Sequence, residues 1–306
     1  MDTANCPSLS KSFSKEVIAL RTVDMLRGMS AAHRSESNSV SPLRAVIFDW
    51  AGTVLDFGSL APVRALQTLF AQAGVPISAA QARGPMGRAK RDHIADILAL
   101  PDVAERWQAV HGSLPSTADL DRLFAEFLPL QLQTLTARAT LIPGVLEMMG
   151  TLRERGIQIG STTGYTAEMM AALRPLARAQ GYEPAAVVTV SDVKAGRPAP
   201  WMALRCAEQL GVWPLSAICK VGDTVADVDE GRNAGMWTIA FARCGNELGL
   251  DESELLALPA EEQQARLSEA RRRLQQAGAH LVIDGPAELP AALETLELRR
   301  RRGDRP

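Results

Sequence analysis

Residues 45–53, AVIFDWAGT, decide the fold of this chain. The first four form a short apolar run that is typical of a buried parallel strand, and the run leads Asp49 into a tight Gly-Thr turn. An acid two residues after such an aspartate would complete a common site for phosphate esters, but position 51 is an alanine. The sequence therefore raises a question: which chemistry needs Asp49 and works without an acid at position 51?

The composition of the chain is typical of a globular protein with one large domain or two smaller ones. Its 306 residues are 46% hydrophobic and 22% charged, which allows a substantial core. A net charge of −2 disfavours nucleic-acid and membrane-surface roles, because both normally bring a basic excess. We expect the Arg-rich run at residues 299–302 to be solvated. No apolar stretch reaches the roughly 18 residues of a membrane span.

The cysteines and the amino-terminal segment bear on where the protein works. The four cysteines have no metal-ligand spacing, so we expect reduced thiols in a cytoplasmic protein. Residues 1–43 lack the apolar core of a secretory signal, and their acidic residues disfavour a transit peptide. We interpret residues 1–43 as a disordered extension, with a later start at Met25 or Met29 as the alternative.

From Arg44 onwards the sequence alternates between strand and helix patterns. The further predicted strands are the apolar runs at 157–161, 185–190, 217–221, 237–241 and 280–283. Predicted helices between them cover about 144–155, 166–180, 198–210 and 227–234. This alternation predicts an α/β fold with a doubly wound parallel sheet, whose ligands bind at the carboxyl ends of the strands.

One interval breaks the alternation. Between the first strand and residue 157 lie helical patterns but no convincing strand, and the interval is too long for a crossover loop. We therefore predict a helical cap domain at residues 59–138, inserted after the first strand. The α/β catalytic core would then comprise residues 44–58 and 139–306.

Four predicted strand ends carry carboxylates, hydroxyls or cations. They contribute Asp49 after the first strand, Thr163 after the second, Arg197 after the third, and Asp223 and Asp227 after the fourth. Grouped carboxylates repel one another unless a hard cation lies among them, and Mg²⁺ prefers oxygen ligands together with phosphoryl oxygens. The guanidinium and the hydroxyls suit an oxyanion. Asp49 is then either a metal ligand alone or a nucleophile that forms an aspartyl-phosphate.

These segments resemble the haloacid dehalogenase-like superfamily, through DWAGT, STTG, AGRP and GDTVAD. Within it the chain is similar to the phosphonoacetaldehyde hydrolase (phosphonatase) family over about residues 44–298. The similar segments are VIFDWAGT, PMGRAKRDHI, GSTTGYT, AGRPAPWM and KVGDTVADVDEGRNAGMWT. The resemblance implies a Rossmannoid core and Mg²⁺-dependent hydrolysis of phosphonoacetaldehyde to acetaldehyde and phosphate, in the degradation of 2-aminoethylphosphonate. It also implies a homodimer.

The resemblance further implies a role for individual residues. Asp49 would be the nucleophile, and Lys90 would form a Schiff base with the substrate. Asp49, the carbonyl of Ala51 and Asp223 would hold Mg²⁺. Thr163 and Arg197 would contact the phosphoryl group, with Asp227 as a supporting carboxylate. The other substrate-binding candidates are Gly52, His93, Tyr165 and Met86.

This mechanism answers the opening question about position 51. A phosphatase uses an acid to protonate an alkoxide as it leaves, whereas a phosphonate would release a carbanion that is too unstable to leave unaided. An imine on Lys90 would accept the electron pair, so that an enamine departs. An ordinary lysine has a pKa near 10.4 and is rarely neutral at pH 7, so Lys90 needs desolvation or nearby positive charge. Arg88 and Arg91 flank it.

Several alternatives stay open. Taken alone, Lys90 is typical of an exposed helical lysine. His93, three residues on and on the same helical face, is a candidate for moving protons at the imine, with packing as the alternative. Packing is also the alternative for Tyr165 and Met86.

At the level of function, a Mg²⁺-dependent phosphate-ester phosphatase is the nearest alternative, and Ala51 argues against it. A dehalogenase is disfavoured because Asp223 and Asp227 indicate a metal, which displacement at carbon does not need. A non-catalytic binding module is disfavoured because the nucleophile, cation and metal positions are all filled. The expected partner is a small phosphonate, with no nucleic acid and no membrane.

Overall fold

Six parallel strands form one sheet in residues 42–306, in the order β3-β2-β1-β4-β5-β6. These residues are the part of the chain that the computed structural model describes, so all but the last two residues of the predicted extension lie outside it. The strands are β1 (Ala45–Phe48), β2 (Gln158–Thr163), β3 (Ala186–Thr189), β4 (Ile218–Gly222), β5 (Trp237–Phe241) and β6 (Leu281–Ile283). The prediction of an α/β fold with a doubly wound parallel sheet is confirmed.

The central strand β1 shows why a continuous apolar run specifies this sheet. Val46 and Phe48 face one buried apolar cluster, and Ala45 and Ile47 face another on the opposite side. A strand covered on both faces has no solvent-exposed side, so every position is apolar. β1 pairs with β2 and β4 such that Phe48 lies opposite the fourth residue of each. The three strands therefore end at the same edge.

A helical insertion separates β1 from β2, as predicted. Its helices are α1 (Leu60–Gln72), α2 (Ala79–Arg83), α3 (Lys90–Leu98), α4 (Pro101–His111) and α5 (Thr117–Ala137). Residues 59–138 contain no strand. The status of this insertion as a separate cap domain, with the core at residues 44–58 and 139–306, stays a prediction.

The insertion is held together by contacts between α1 and α5. Their fully buried side chains include Leu66, Phe70, Leu123 and Phe127. The start of α5 is fixed by a capping box: Ser116 Oγ accepts the Asp119 N–H at 3.2 Å, and the Asp119 carboxylate accepts the Ser116 N–H at 3.0 Å. The amphipathic pattern and this cap together specify the longest helix of the insertion.

The remaining helices cover the sheet. They are α6 (Val145–Glu154), α7 (Ala167–Ala179), α8 (Trp201–Leu210), α9 (Val225–Asn233), α10 (Glu252–Ala257), α11 (Ala260–Gln276) and α12 (Leu289–Arg301). The charged helix α11 buries Leu267 and Leu274 beside Ala240 of β5, so it packs on the sheet. The Arg-rich run differs from the expectation in one respect. Arg300 is buried, because it lies on the inner face of α12, where its Nη1 is 3.6 Å from Glu297 Oε2.

Three of the four cysteines lie in the described residues and are free, buried thiols: Cys206, Cys219 and Cys244. Cys6 lies outside the described residues. No helix in residues 42–306 is both long and apolar enough to cross a membrane.

Candidate active site

The predicted strand ends meet at the carboxyl edge of the sheet. Asp49 follows β1, and its backbone N–H donates to the carbonyl of Val221 in β4 at 2.9 Å. Thr163 ends β2, and Asp223 follows β4 directly. Asp227 lies in the first turn of α9, which begins just after β4. The sheet register thus brings together side chains that are more than 170 residues apart in sequence.

A small cavity lies between this edge and the helical insertion. Its volume is about 20 Å³, room for roughly one water molecule. The insertion contributes Ser59, Pro62, Met86, Gly87, Arg88 and Lys90 to the lining. The core contributes Asp49, Ala51, Thr163, Gly164, Tyr165, Arg197 and Thr224. Most of the predicted site residues therefore share one cavity, whereas Gly52, His93, Asp223 and Asp227 do not line it.

Two glycines allow the insertion to approach the core this closely. Gly87 has a φ of +87°, and a Cβ there would lie 2.3 Å from Thr224 Oγ1. A Cβ at Gly164 would lie 2.7 Å from the carbonyl oxygen of Arg88. Both distances are far below van der Waals contact, so these positions require glycine where the insertion meets the core.

Three buried carboxylates form the acidic part of the site. Ligand atoms of Asp49, Asp223 and Asp227 all lie within 4.8 Å of one another. Burial raises the pKa of Asp49 to about 6, against the opposing pull of Arg197. Burial, followed by the two neighbouring carboxylates, raises the pKa of Asp223 well above its usual range. Burial opposes ionisation of Asp227 as well, but Arg197 and Lys220 outweigh it and hold its pKa below its usual range.

The surroundings of Asp223 fit a divalent cation. Its two carboxylate oxygens accept the Thr53 hydroxyl at 2.9 Å and the Asn246 N–H at 2.8 Å, which are both neutral donors. Within residues 42–306 no cationic side chain forms an ion pair with Asp223. Gly52 has a φ of +82°, and a Cβ there would lie 2.1 Å from Asp223 Oδ2, so its role is to leave room for this carboxylate. A buried carboxylate with neutral partners and two acidic neighbours is the environment that a metal stabilises.

Arg197 is the cation on the other side of the cluster. It is fully buried, with Nη2 at 2.7 Å from Asp49 Oδ1 and Nη1 at 3.1 Å from Asp227 Oδ1. Burial acts to lower the pKa of Arg197, but the surrounding carboxylates outweigh it and raise it well above its usual value. The guanidinium therefore stays charged beside the proposed nucleophile.

Two buried charged residues near Arg197 were missed by the sequence analysis. Glu230 Oε2 lies 2.8 Å from Arg197 Nε, and Lys220 Nζ lies 2.6 Å from Asp227 Oδ1. The available signals were a lysine within the apolar strand β4 and an acid three residues beyond Asp227. Neither pattern indicates which partner the charge meets, so geometry was needed to find them.

Lys90 begins α3 and is buried, which differs from the exposed position that an isolated helical lysine normally takes. Its Nζ lies 3.9 Å from Met86 Sδ and 5.3 Å from the centroid of the Tyr165 ring. Among residues 42–306 no carboxylate lies within ion-pair distance of it. Burial lowers the pKa of Lys90 to about 8, although Asp49 pulls it upwards. The amine thus lines the cavity and loses its proton more easily than the amine of an ordinary lysine.

The remaining candidates differ in their surroundings. His93 is fully buried, and its Nε2–H donates to the carbonyl of Ala82 at 2.8 Å. Burial lowers the pKa of His93 to about 3, so the ring is neutral. The Tyr165 hydroxyl is buried without a hydrogen-bond partner in the described part of the chain. The Thr163 hydroxyl oxygen accepts the Tyr165 N–H at 3.1 Å, which fixes the turn after β2.

A family match and individual sequence relatives of this chain indicate the same family. Residues 43–235 match the haloacid dehalogenase-like hydrolase family. The chain is 46% identical to a phosphonoacetaldehyde hydrolase of Nitratidesulfovibrio vulgaris over 265 residues, which is 87% of this chain and 95% of that protein. It is 45% identical to a phosphonoacetaldehyde hydrolase of Paraburkholderia xenovorans over 264 residues, covering 86% and 99% of the two chains.

A solved structure agrees with this relationship. The crystal structure of a phosphonoacetaldehyde hydrolase-like protein from Oleispira antarctica superposes with a TM-score of 0.86 at 42% identity, covering 87% of this chain and 97% of that one. The matching fold, the acidic cluster suited to a divalent metal and the extent of the identity lead to one conclusion. This chain is an enzyme that belongs to the haloacid dehalogenase-like hydrolases and, within them, to the phosphonoacetaldehyde hydrolase family.

Proposed function

We propose that this enzyme hydrolyses phosphonoacetaldehyde to acetaldehyde and phosphate, through an imine on Lys90 and attack by Asp49 on phosphorus. The observation that carries the proposal is the buried amine of Lys90, which lines the same cavity as Asp49 and Ala51. An amine and a nucleophilic carboxylate, with an alanine in place of an acid at position 51, suit cleavage of a carbon–phosphorus bond. We assign the reaction to the degradation of 2-aminoethylphosphonate.

In the first step, the neutral amine of Lys90 adds to the aldehyde carbon, and uptake of one proton from solvent with loss of water leaves a protonated imine. A pKa of about 8 leaves roughly a tenth of the lysine neutral at pH 7, compared with well under 0.1% for an ordinary lysine. Burial thereby supplies much of the activation that a Schiff-base lysine requires. Met86 and the Tyr165 ring, which surround the amine, provide the apolar walls.

In the second step, a carboxylate oxygen of Asp49 attacks phosphorus while the carbon–phosphorus bond breaks. The bonding electron pair moves into the protonated imine, and the product on Lys90 is an enamine. Asp49 now carries the phosphoryl group as an acyl phosphate. Water hydrolyses that bond and releases phosphate. The enamine takes up a proton at carbon, and hydrolysis of the resulting imine releases acetaldehyde and frees Lys90.

The remaining residues stabilise charge around the phosphoryl group. Mg²⁺ would be held by Asp49, the carbonyl of Ala51 and Asp223, and when bound it neutralises the charge between the carboxylate and the substrate. Arg197 and the Thr163 hydroxyl would contact the phosphoryl oxygens. Asp227 would support this arrangement from its position beside Arg197. Preorganised donors of this type are most effective in a site that excludes water.

The closed arrangement implies a conformational step. A cavity of about 20 Å³ is smaller than the substrate, which supports a movement of the insertion away from the core when the substrate enters. We assign this movement to a cap domain at residues 59–138. Closure would then bring Lys90 to Asp49 and exclude water from the enamine. For His93, the position outside the cavity lining and the lowered pKa favour packing in the insertion over moving protons at the imine.

Two further properties belong to this proposal. A cytoplasmic location is supported by the free, buried thiols of Cys206, Cys219 and Cys244. A homodimer is expected from the family resemblance, and sedimentation velocity would test it.

A phosphate-ester phosphatase is the second candidate function, and Ala51 is the observation that separates the two. The test is a substrate panel: purified enzyme with Mg²⁺ is given phosphonoacetaldehyde and a set of phosphate monoesters, and released phosphate and acetaldehyde are both measured. We expect equal amounts of the two products from phosphonoacetaldehyde and little phosphate from the esters. Efficient ester hydrolysis without phosphonate cleavage would support the phosphatase instead.

A further inference from the structure

A carboxylate outside the predicted constellation lies behind Arg197, on the side away from the cavity. Glu230 is fully buried in α9 and does not line the cavity. A single oxygen, Oε2, accepts the Arg197 Nε–H at 2.8 Å and the Thr162 hydroxyl at 3.1 Å, and lies 3.6 Å from Lys220 Nζ. The other oxygen, Oε1, has no hydrogen-bond partner within residues 42–306.

These contacts fix the plane of the guanidinium. A guanidinium is rigid and planar, so holding Nε and one terminal nitrogen determines where the other N–H groups point. Glu230 holds Nε. The carbonyl and the hydroxyl of Thr162 each accept from Nη2 at 3.0 Å. Nη2 also lies 2.7 Å from Asp49 Oδ1, and Nη1 lies 3.1 Å from Asp227 Oδ1 and donates to the carbonyl of Gly87 at 3.4 Å. The fixed plane therefore presents both terminal nitrogens at the edge where the phosphoryl group would bind.

We propose that Glu230 is a positioning residue, which orients the Arg197 guanidinium for the phosphoryl group. This inference rests on the proposed function, in which Arg197 contacts that group. Burying the Glu230 and Lys220 charges is costly, and apolar residues could fill the same space at least as well, so stability alone is a poor reason for them. An arginine with an unfixed plane would have to be ordered in each catalytic cycle, which weakens binding of the oxyanion.

The test compares Glu230→Gln with the matched control Asp229→Asn. The glutamine side chain would keep the shape and the acceptor at Nε but remove the charge, whereas Asp229 is a neighbouring acid on the same helix that forms no ion pair within the described residues. We expect Glu230→Gln to lower kcat/KM by about tenfold or more, since a hydrogen bond between charged groups is weakened. The affinity for inorganic phosphate in the presence of Mg²⁺, measured by calorimetry, should fall by a similar factor. Asp229→Asn should change neither quantity.

Two further measurements separate positioning from structural damage. Borohydride labelling of Lys90 in the presence of acetaldehyde should be unchanged in Glu230→Gln, because the substitution leaves both the Lys90 amine and the charge of Arg197 in place. In an Arg197→Lys background, which has no guanidinium plane to orient, Glu230→Gln should cause little additional loss of phosphate affinity. The inference would be contradicted if Glu230→Gln lowered phosphate affinity equally in the wild-type and Arg197→Lys backgrounds. It would also be contradicted if the Glu230→Gln variant bound phosphate as tightly as the wild-type enzyme.

A second variant covers the case in which Glu230→Gln does not fold by circular dichroism. Glu230→Asp keeps the buried charge but withdraws it from Nε by about one carbon–carbon bond, roughly 1.5 Å. The same loss of phosphate affinity is expected, and unchanged affinity would overturn the inference. Failure of the proposed function would look different, because wild-type enzyme would then bind phosphate without releasing acetaldehyde from phosphonoacetaldehyde.

Discussion

The Nζ of Lys90, on the insertion, lies 5.3 Å from the centroid of the Tyr165 ring, which follows β2 in the core. With Met86 Sδ on another side at 3.9 Å, the amine is surrounded by soft, apolar groups in place of a carboxylate. A lysine in an ion pair keeps its proton, whereas a desolvated lysine loses it more readily. Burial between the insertion and the core therefore lowers the pKa of the Lys90 amine, which suits the imine proposed there.

Imine formation should depend on pH through Lys90. Because the pKa is lowered to about 8, the neutral, reactive amine is a minor species at pH 7 and predominates above pH 8. The rate of borohydride-trapped adduct formation with acetaldehyde should rise about fivefold between pH 7 and pH 8 and level off above about pH 9. A rate that continued to rise tenfold per pH unit up to pH 10 would show an ordinary, unshifted lysine.

The residue at position 51 should determine which leaving group the enzyme can release. Ala51→Asp would add a negative charge beside Asp49 and the phosphonate, and should lower phosphonoacetaldehyde hydrolysis by at least tenfold, about 1.4 kcal/mol or more. Any gain in activity should be restricted to the hydrolysis of phosphate esters. Ala51→Asn, of similar size without the charge, is the control and should lose less. Full phosphonate turnover by Ala51→Asp would refute our explanation of the alanine.

Turnover should require a divalent metal. EDTA should abolish activity and added Mg²⁺ should restore it, because the Asp223 carboxylate has neutral partners and needs a cation beside it. Asp223→Asn should raise the Mg²⁺ concentration needed for half-maximal activity or remove activity. Metal-free enzyme with an unchanged rate would exclude this role for the acidic cluster.

Arg83 should stabilise the closed insertion. Its guanidinium donates to the carbonyls of Gly58 at 3.0 Å and Gly249 at 2.9 Å and to Asn246 Oδ1 at 3.2 Å, and it forms no ion pair within residues 42–306. Arg83→Met leaves these part-buried acceptors unpaired and should lower the free energy of unfolding by about 2 kcal/mol or more.

The matched control for Arg83 is Arg91→Met, also in the insertion. Arg91 pairs with Asp121 at the surface, where such ion pairs contribute about 0–1 kcal/mol. Denaturant unfolding of both variants measures the difference. Equal losses would mean that the Arg83 contacts between insertion and core contribute no more than a surface ion pair.

The sequence was sufficient to predict the sheet, because strands buried on both faces leave continuous apolar runs. Their ends were less certain: β2 was predicted to end at residue 161, yet it continues through Thr162 and Thr163, whose β-branched side chains suit a strand although they are polar. The convergence of Asp49, Thr163, Arg197, Asp223 and Asp227 followed from topology alone.

Other features depend on contacts that no local pattern records. Arg83 is a single arginine in QARGPMG, and two of its acceptors lie more than 160 residues away. The ion pair between Glu230 and Arg197 joins a residue of helix α9 to a residue in the loop after β3. The burial of Lys90 depends on how the insertion closes over the core, so the lowered pKa was expected from the chemistry but could not be read from its flanking residues.

The most direct test of the mechanism is reduction of the imine. Borohydride added together with phosphonoacetaldehyde or acetaldehyde should inactivate the enzyme, and mass spectrometry of the digested protein should locate the adduct on Lys90. Lys90→Arg, which keeps the positive charge but cannot form the productive imine, should lose activity by orders of magnitude and remain unlabelled. Labelling at Lys194 or Lys220 in place of Lys90, or near-normal turnover by Lys90→Arg, would contradict the mechanism.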